Sequence, residues 1–300
     1  MYDIIGDIHG YSDALEILLQ KLGYERKLGV YKHPENRKVA FVGDFIDRGP
    51  KIRETLHLVK DMCDSGNAIA IMGNHEYNAI CFHTPHTENG GFFRDHSLKE
   101  IEQHIETLRQ FKHYQNEWTY FLDWFKALPL FFEDDNFRMV HACWDNDHIN
   151  WLKKNYNGMS SAFLTDASNK NTQAYKVLEE TLKGIESKLP NGLNFTDKDG
   201  AIREECRIKW WSPQDKRKTF GQIMMECPDE LKEKEIPSDY VFHSYNEKTP
   251  VFFGHYWLKG LPNIENDSAI CIDYSVAKGG KLVAYRLDKN NETLNSRLIY

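Results

Sequence analysis

The chain has no CxxC pair. Its six cysteines (Cys63, Cys81, Cys143, Cys206, Cys227, Cys271) are scattered and sit mostly beside apolar residues. That spacing carries neither a zinc ribbon nor a disulfide framework, and the plain expectation is reduced thiols in a cytoplasmic protein. No apolar run approaches the ~20 residues of a membrane span. The opening MYDIIGD has no basic region or long apolar stretch, so no signal peptide is expected either. Positive charge is not in excess: 38 Lys and Arg against 45 Asp and Glu leave a net charge of -7. A nucleic-acid binder held by bulk electrostatics is thereby disfavoured, whereas an enzyme that takes an anion in a local pocket is not. Internal repeats and low-complexity segments are absent as well.

What is present is a chain of 300 residues, 41% hydrophobic, long enough to bury a sizeable core. Three strand–turn–helix units open it. Tyr2 to Ile5 reads as a strand ending in GDIHG, with Asp7 and His9 at its C-terminal end. Ser12 and Asp13 then cap a helix whose Leu15, Leu18, Leu19 and Leu22 are periodic, closed by Gly23. A polar loop leads to a second strand, Val39 to Val42, followed by GDFIDRGP with Asp44, Asp47 and Arg48. Leu56, Val59 and Met62 mark the next helix, and a third strand, Ala68 to Met72, runs into GNHE at 73–76. This is the signature of a parallel α/β core. Such sheets place their sites at the C-terminal ends of the strands.

Two stretches break the rhythm. The first, about 83–126, has helical patterns at Leu98 to Phe111 and Trp118 to Phe125. The second, about 145–235, is expected to be largely helical and contains LPNGLNF, DKDG and KWW. The reading is one domain, residues 1–300, carrying two insertions. Strands resume at Leu130 to Phe132, Phe137 to Val140, Val251 to Phe253, Ala269 to Asp273 and Lys281 to Leu287. The last two look like a hairpin turned by Lys278-Gly279-Gly280.

Asp7, His9, Asp44, Asn74, His141 and His255 each follow an apolar strand, most with a glycine alongside. A set that mixes carboxylate, amide and imidazole suits Mn, Fe or Zn better than an ion that takes oxygen alone. With Asp44 as a bridge, two ions are held and positions remain open for water and substrate. That arrangement clamps the attacking and leaving oxygens of an in-line displacement at phosphorus.

In this order, GDIHG, GDFIDRG, GNHE, VHA and FGHY resemble the phosphoprotein-phosphatase branch of the calcineurin-like metallophosphoesterases, which includes bacterial serine/threonine phosphatases and symmetrical diadenosine tetraphosphatases. The motifs cover residues 1–76, 128–144 and 250–288. The resemblance implies a four-layer α/β/β/α sandwich of two mixed sheets with helical insertions, and a dimetal site along one edge. It implies two divalent metal ions, Mn²⁺ preferred over Fe or Zn, with Asp7 and His9 on the first, Asp44 bridging, and Asn74, His141 and His255 on the second. His75 would be the general acid, oriented by Asp47, and Arg48 would bind phosphate oxygens. A metal-bridging hydroxide would be the nucleophile.

Two departures stand out. Many phosphodiesterases of the superfamily carry GHxH, and here the second histidine position is Trp257. Relatives also carry a phosphate-binding arginine in WxR, but after Trp210 and Trp211 the matching residues are Ser212 and Pro213. Arg207 is the expected replacement, sharing a face with Lys209 and Trp211 if residues 206–211 are extended. Arg203 and Arg217 are its rivals. His83 and His86 read as surface histidines and Cys143 as a small core filler. The tryptophans Trp144, Trp210, Trp211 and Trp257 read as packing, or as the lining of a base-stacking pocket. The expected function is hydrolysis of phosphomonoesters, on protein or small molecule. A dinucleoside polyphosphate hydrolase is the alternative, and a non-catalytic phosphate-binding regulator is the rival of a different class.

Overall fold

Alternation along the strands decides the layers. The computed structural model describes residues 1–86, 90–196, 202–213, 216–288 and 297–300. Its first third runs β1 (Tyr2–Ile5), α1 (Ser12–Lys21), β2 (Glu25–Lys27), β3 (Val30–Lys32), β4 (Lys38–Phe41), α2 (Ile52–Asp64), β5 (Ala68–Ala70) and α3 (Asn74–His83). β1, β4 and β5 lie side by side in parallel, as three successive strand–turn–helix units require. Two details differ from the sequence reading. The hairpin β2–β3 occupies the supposed polar loop, since Glu25, Arg26 and Lys27 are all exposed and show no alternation. Ser12 and Asp13 lie inside α1 rather than before it, because the N-cap is Tyr11.

The first insertion folds as α4 (Leu98–Phe111) and α5 (Gln115–Ala127), ahead of β6 (Phe131–Glu133) and β7 (Arg138–Val140). The second begins with α6 (Asn146–Asn155), α7 (Ser161–Ser168) and α8 (Gln173–Lys183), and beyond them only two one-turn α-helices remain among its described residues. Short strands follow: β8 (Glu186–Lys188), β9 (Phe195–Thr196), β10 (Ile202–Arg203) and β11 (Glu205–Arg207), with β8 paired to β11 and β9 to β10. Together with α9 (Phe220–Ile223) and α10 (Asp229–Lys232) they enclose a small cluster of their own, around Cys206, Ile208, Phe220, Ile223 and Leu231. LPNGLNF becomes a 3-10 turn at 190–192 running into β9, and DKDG lies outside the described residues.

The core closes with β12 (Val251–Phe253), β13 (Ala269–Cys271), β14 (Asp273–Tyr274), β15 (Lys281–Leu282), β16 (Ala284–Leu287) and β17 (Leu298–Ile299). Two mixed sheets result, in the orders β17-β16-β1-β4-β5 and β13-β12-β7-β6. The expected terminal hairpin exists only as β14–β15. The longer runs on either side of it break at Ile272 and Val283, so β13 stays in the second sheet and β16 joins the first. The turn therefore carries the chain from one sheet to the other.

Side chains two apart face the same way. Ile4, Ala40 and Val42 of the first sheet share a buried cluster with Phe137, Met139, Phe252 and Ile270 of the second. Their neighbours Ile5, Val39, Phe41, Val140, Val251 and Phe253 fall in another cluster, with Leu15, Leu18, Leu56 and Val59 of the N-terminal helices and Leu152, Val177 and Leu178 of the second insertion. The outcome is helix, sheet, sheet, helix: the four-layer α/β/β/α sandwich. Cys143 is a buried filler whose thiol burial pushes well up. Among the described residues no helix is long and apolar enough to cross a membrane.

The contact between the sheets is testable at Phe252, fully buried and packed on Phe137 and Tyr285 with ring centroids 6.1 and 4.8 Å away. Phe252→Ala should cost about 3–5 kcal/mol in urea unfolding. A loss under about 1 kcal/mol would mean that the sheets do not pack through this ring.

Candidate active site

The strand-end loops bend more sharply than ordinary residues allow. Ten non-glycine residues among those described have positive φ, and His9, Asp44, Asp47, Arg48, His255 and Trp257 are six of them, with φ between 48° and 74°. The left-handed region costs roughly 1–2 kcal/mol per L-residue. Strain concentrated on one edge in this way is a mark of a functional site. Glycines make room for the approach: a Cβ at Gly254 would strike the Asp7 carboxylate, and one at Gly73 would strike that of Asp44.

These bends gather all six strand-end residues in a buried cluster. Each histidine is oriented by a second bond. His9 Nδ1 donates to the Ile46 carbonyl at 2.9 Å, which turns Nε2 toward Asp44 Oδ2, 3.5 Å away. His141 Nδ1 donates to the Val42 carbonyl at 2.8 Å, leaving Nε2 3.4 Å from Asp44 Oδ2 and 2.9 Å from Asn74 Oδ1. His255 Nδ1 lies 2.7 Å from the same Asn74 oxygen. Backbone carbonyls thus set the tautomers of His9 and His141 and aim a lone pair inward, the usual arrangement for imidazoles that ligate metals.

The donor set fits divalent ions. Asp7 Oδ1, His9 Nε2 and His255 Nε2 are buried without a hydrogen-bond partner, and buried polar atoms are seldom left so. Ligand-capable atoms of His9, Asp44 and His75 lie within 4.8 Å of one another, as do those of Asp44, His141 and His255. Asp44 belongs to both groups. Charge points the same way. Asp7, Asp44, Glu76 and Asp273 are all buried, and burial together with Asp273 holds Asp7 well above the usual carboxylate range. Burial pulls His141 down, but the Asp44 carboxylate more than reverses this and lifts it to about 10. Acids crowded in this way call for positive charge, which divalent cations would supply.

Beside the cluster, His75 Nδ1 donates to Asp47 Oδ2 at 2.5 Å, and its Nε2 lies 4.0 Å from Asp44 Oδ2. Arg48 is exposed at the rim, its guanidinium carbon 5.7 Å from the centre of the Trp257 ring. Trp257 stacks on His9 at 5.2 Å, so the residue in the place of a second histidine covers the first histidine's ring. Arg207 is partly buried, its Nε has no partner, and its charge lowers the pKa of His255 behind burial and His141. The alternation expected around it holds at Cys206, Ile208 and Trp210, all buried, and breaks at Trp211. Trp211 is buried on Tyr256, with ring centroids 4.4 Å apart. Arg217 is tied to the Ser212 carbonyl, 2.8 Å from Nε, and lies over Phe242. His83, read as a surface histidine, is half-buried.

Sequence reasoning missed two buried carboxylates. Glu76 accepts from the backbone N–H groups of Asp44 (2.8 Å), Phe45 (2.8 Å) and Gly73 (2.9 Å). Its signal was available, because it is the acid of GNHE at the third position of a helix. Asp273 accepts from Trp257 N at 2.7 Å and Ser275 N at 2.9 Å. It too ends an apolar run. His104 and Thr107, which contact Asp47, had no such signal.

The family model for calcineurin-like phosphoesterases matches residues 2–255. The chain belongs to this family. Its members are metal-dependent phosphoric ester hydrolases, in keeping with the donor set above. This phosphoesterase is 36% identical over 155 residues to an asymmetrical bis(5'-nucleosyl)-tetraphosphatase, PrpE, of Halalkalibacterium halodurans, a match covering 49% of the chain and 59% of the relative. It is 47% identical over 74 residues to the Bacillus subtilis protein of the same name, covering 25% of the chain and 30% of the relative. The matches thus span between 30 and 59% of these relatives' length. A serine/threonine phosphatase from Saccharomyces cerevisiae, described as similar to human PP5, superposes with TM-score 0.50 at 15% identity over 99% of this chain and 78% of that one. That likeness is one of fold.

The phosphoesterase loops depend on Glu76 for their mutual position. Glu76→Gln puts an amide N–H₂ in place of one carboxylate oxygen, leaving at least one of the three backbone donors unsatisfied in a buried site. The expected cost is about 1–3 kcal/mol in unfolding free energy, with a matching loss of bound metal after dialysis. Unchanged stability and metal content would show that the three bonds do not hold the loops.

Proposed function

We propose that this phosphoesterase hydrolyses phosphomonoesters at a dimetal site built on Asp7, His9, Asp44, Asn74, His141 and His255. Two divalent ions, when bound there, supply an activated water and screen the charge of the phosphoryl group; Mn²⁺ is our assignment, with Fe or Zn as alternatives. The observation that carries the reading is the His75–Asp47 pair beside the cluster. Asp47 accepts from Nδ1 and so keeps the other nitrogen of His75 turned toward the metal-binding residues. His75 Nε2 is then placed to give its proton to the departing oxygen. Arg48 binds phosphate oxygens from the rim, and Arg207, whose charge reaches His255 and whose pairing with Glu186 is loose at 3.9 Å, supplies the second guanidinium.

A second reading, hydrolysis of dinucleoside polyphosphates, is favoured by the rim itself. Lys278 Nζ lies 4.0 Å from the centre of the Trp257 ring, and Arg48 lies close to the same ring. Two cations around one indole exceed what a single terminal phosphate needs, and a longer phosphate chain would use them. The names of the curated relatives agree, although their matches cover only 49 and 25% of the chain. A panel of phosphopeptides, nitrophenyl and alkyl phosphates, mononucleotides and diadenosine polyphosphates, assayed with Mn²⁺, separates the two readings by kcat/KM. Turnover of none of them would sink both.

His75→Asn should leave metal content unchanged while kcat falls roughly a hundredfold or more on poor leaving groups, and much less on nitrophenyl phosphate. An equal loss on both substrates would remove His75 as the general acid. Arg207→Ala should weaken inhibition by inorganic phosphate and lower kcat/KM by about 2–3 kcal/mol, the scale of a charge-assisted contact. Arg217→Ala, at a guanidinium already engaged elsewhere, should change neither. The reverse pattern would displace Arg207 from the site.

A further inference from the structure

Helix α4 presents three polar side chains to the GDFIDRGP loop at spacings that share one helix face: His104, Thr107 and Gln110. Gln110 fastens the far end, accepting from Ile52 N at 2.7 Å and donating to the Gly49 carbonyl at 3.0 Å. The other two act on Asp47. The Thr107 hydroxyl donates to Asp47 Oδ1 at 2.5 Å and accepts from the Asp47 N–H at 3.1 Å. It therefore holds both the carboxylate and the backbone of a residue whose φ is 66°. His104 Nδ1 donates to the same Oδ1 at 2.7 Å, which leaves Oδ2 to His75. His104 Nε2 lies 3.2 Å from His83 Nε2. A carboxylate only accepts, so Nδ1 of His104 carries a proton, and a single N–H is shared between its Nε2 and that of His83. One connected set of bonds links His83, His104 and Asp47, and His75 meets it from the other side. Asp47, His104 and Thr107 are 3, 5 and 1% exposed, so water does not stand in for any of them.

We propose that His104, seconded by Thr107, is a positioning residue for proton delivery by His75. The inference rests on the reading of His75 as general acid. Asp47 held by a single bond could swing about its Cβ–Cγ axis and carry the His75 ring with it. Two donors converging on Oδ1 fix the carboxylate plane, and Oδ2 then fixes the ring. Proton transfer needs hydrogen-bond reach to the departing oxygen, and small displacements of such a group are costly. The first insertion is thus part of the acid's setting, although no residue of α4 belongs to the metal-binding cluster.

The test compares kcat and KM on an alkyl phosphate and on nitrophenyl phosphate at saturating Mn²⁺, with metal content measured for every variant. His104→Ala should lower kcat on the alkyl phosphate about tenfold or more, the effect expected for losing an orienting partner. On nitrophenyl phosphate the loss should be far smaller, with KM and bound metal unchanged. His104→Asn, whose amide N–H takes the place of Nδ1–H, should recover much of the loss. Thr107→Val should reproduce the selective defect, and it serves as the test if His104→Ala does not fold. In a His75→Asn background, His104→Ala should add nothing. Equal losses on both substrates, or full additivity with His75→Asn, would overturn the positioning role. If His75→Asn itself shows no dependence on the leaving group, the general-acid reading falls and takes this proposal with it.

Discussion

The bond set around Glu76 is the constraint on which the site depends. Its carboxylate takes the N–H groups of Asp44 and Phe45 from one loop and of Gly73 from another. Asp44 answers in kind, accepting from His75 N at the start of α3 at 3.0 Å. Each acid thus holds the backbone that carries the other. The helix N-terminus adds its own attraction for the Asp44 charge. Burial and the nearby Asp44 push Glu76 up to about 7, against the pull of the Phe45 N–H and of His75 and His141. The loops are held together by an acid that the same surroundings discourage from ionising.

Strain and unbalanced charge sit in the same few residues. Six left-handed residues and several buried acids would make poor sense in a fold selected for stability alone. They are tolerable because the layers beneath are regular: strands that alternate cleanly, two apolar clusters on either side of the first sheet, and helices with ordinary amphipathic faces. The rigid part of the molecule stores what the reactive edge needs.

Much of the fold was legible because its cues are local. Strand ends with glycine, periodic leucines and β-branched runs identify β1, β4, β5 and their helices without knowledge of the partners. What escaped was of two kinds. The hairpin β2–β3 lacks alternation, since three consecutive residues of β2 face solvent. The exchange of sheets between β13 and β16 turns on Ile272 and Val283, whose apolar side chains read as continuous strand. The strand-end residues were legible for the same reason as the strands. His104 was not, because a histidine on an amphipathic helix has many ordinary explanations, and only the packing of α4 places it on Asp47. Glu76 and Asp273 lay within motifs already noticed, but a backbone acceptor has no sequence mark to distinguish it from a solvated acid.

The two large sheets share no strand pairing among the described residues. Asp7, Asp44 and Asn74 follow strands of one, His141 and His255 strands of the other. Whatever engages Asp44 together with the two histidines fastens one half of the sandwich to the other. Sheet separation and ion release are then a single linked equilibrium, since anything bound only by the assembled state stabilises that state by mass action. The reactive edge is in that sense also a seam, and the tightness of the catalytic centre is a gauge of how firmly the sandwich is shut.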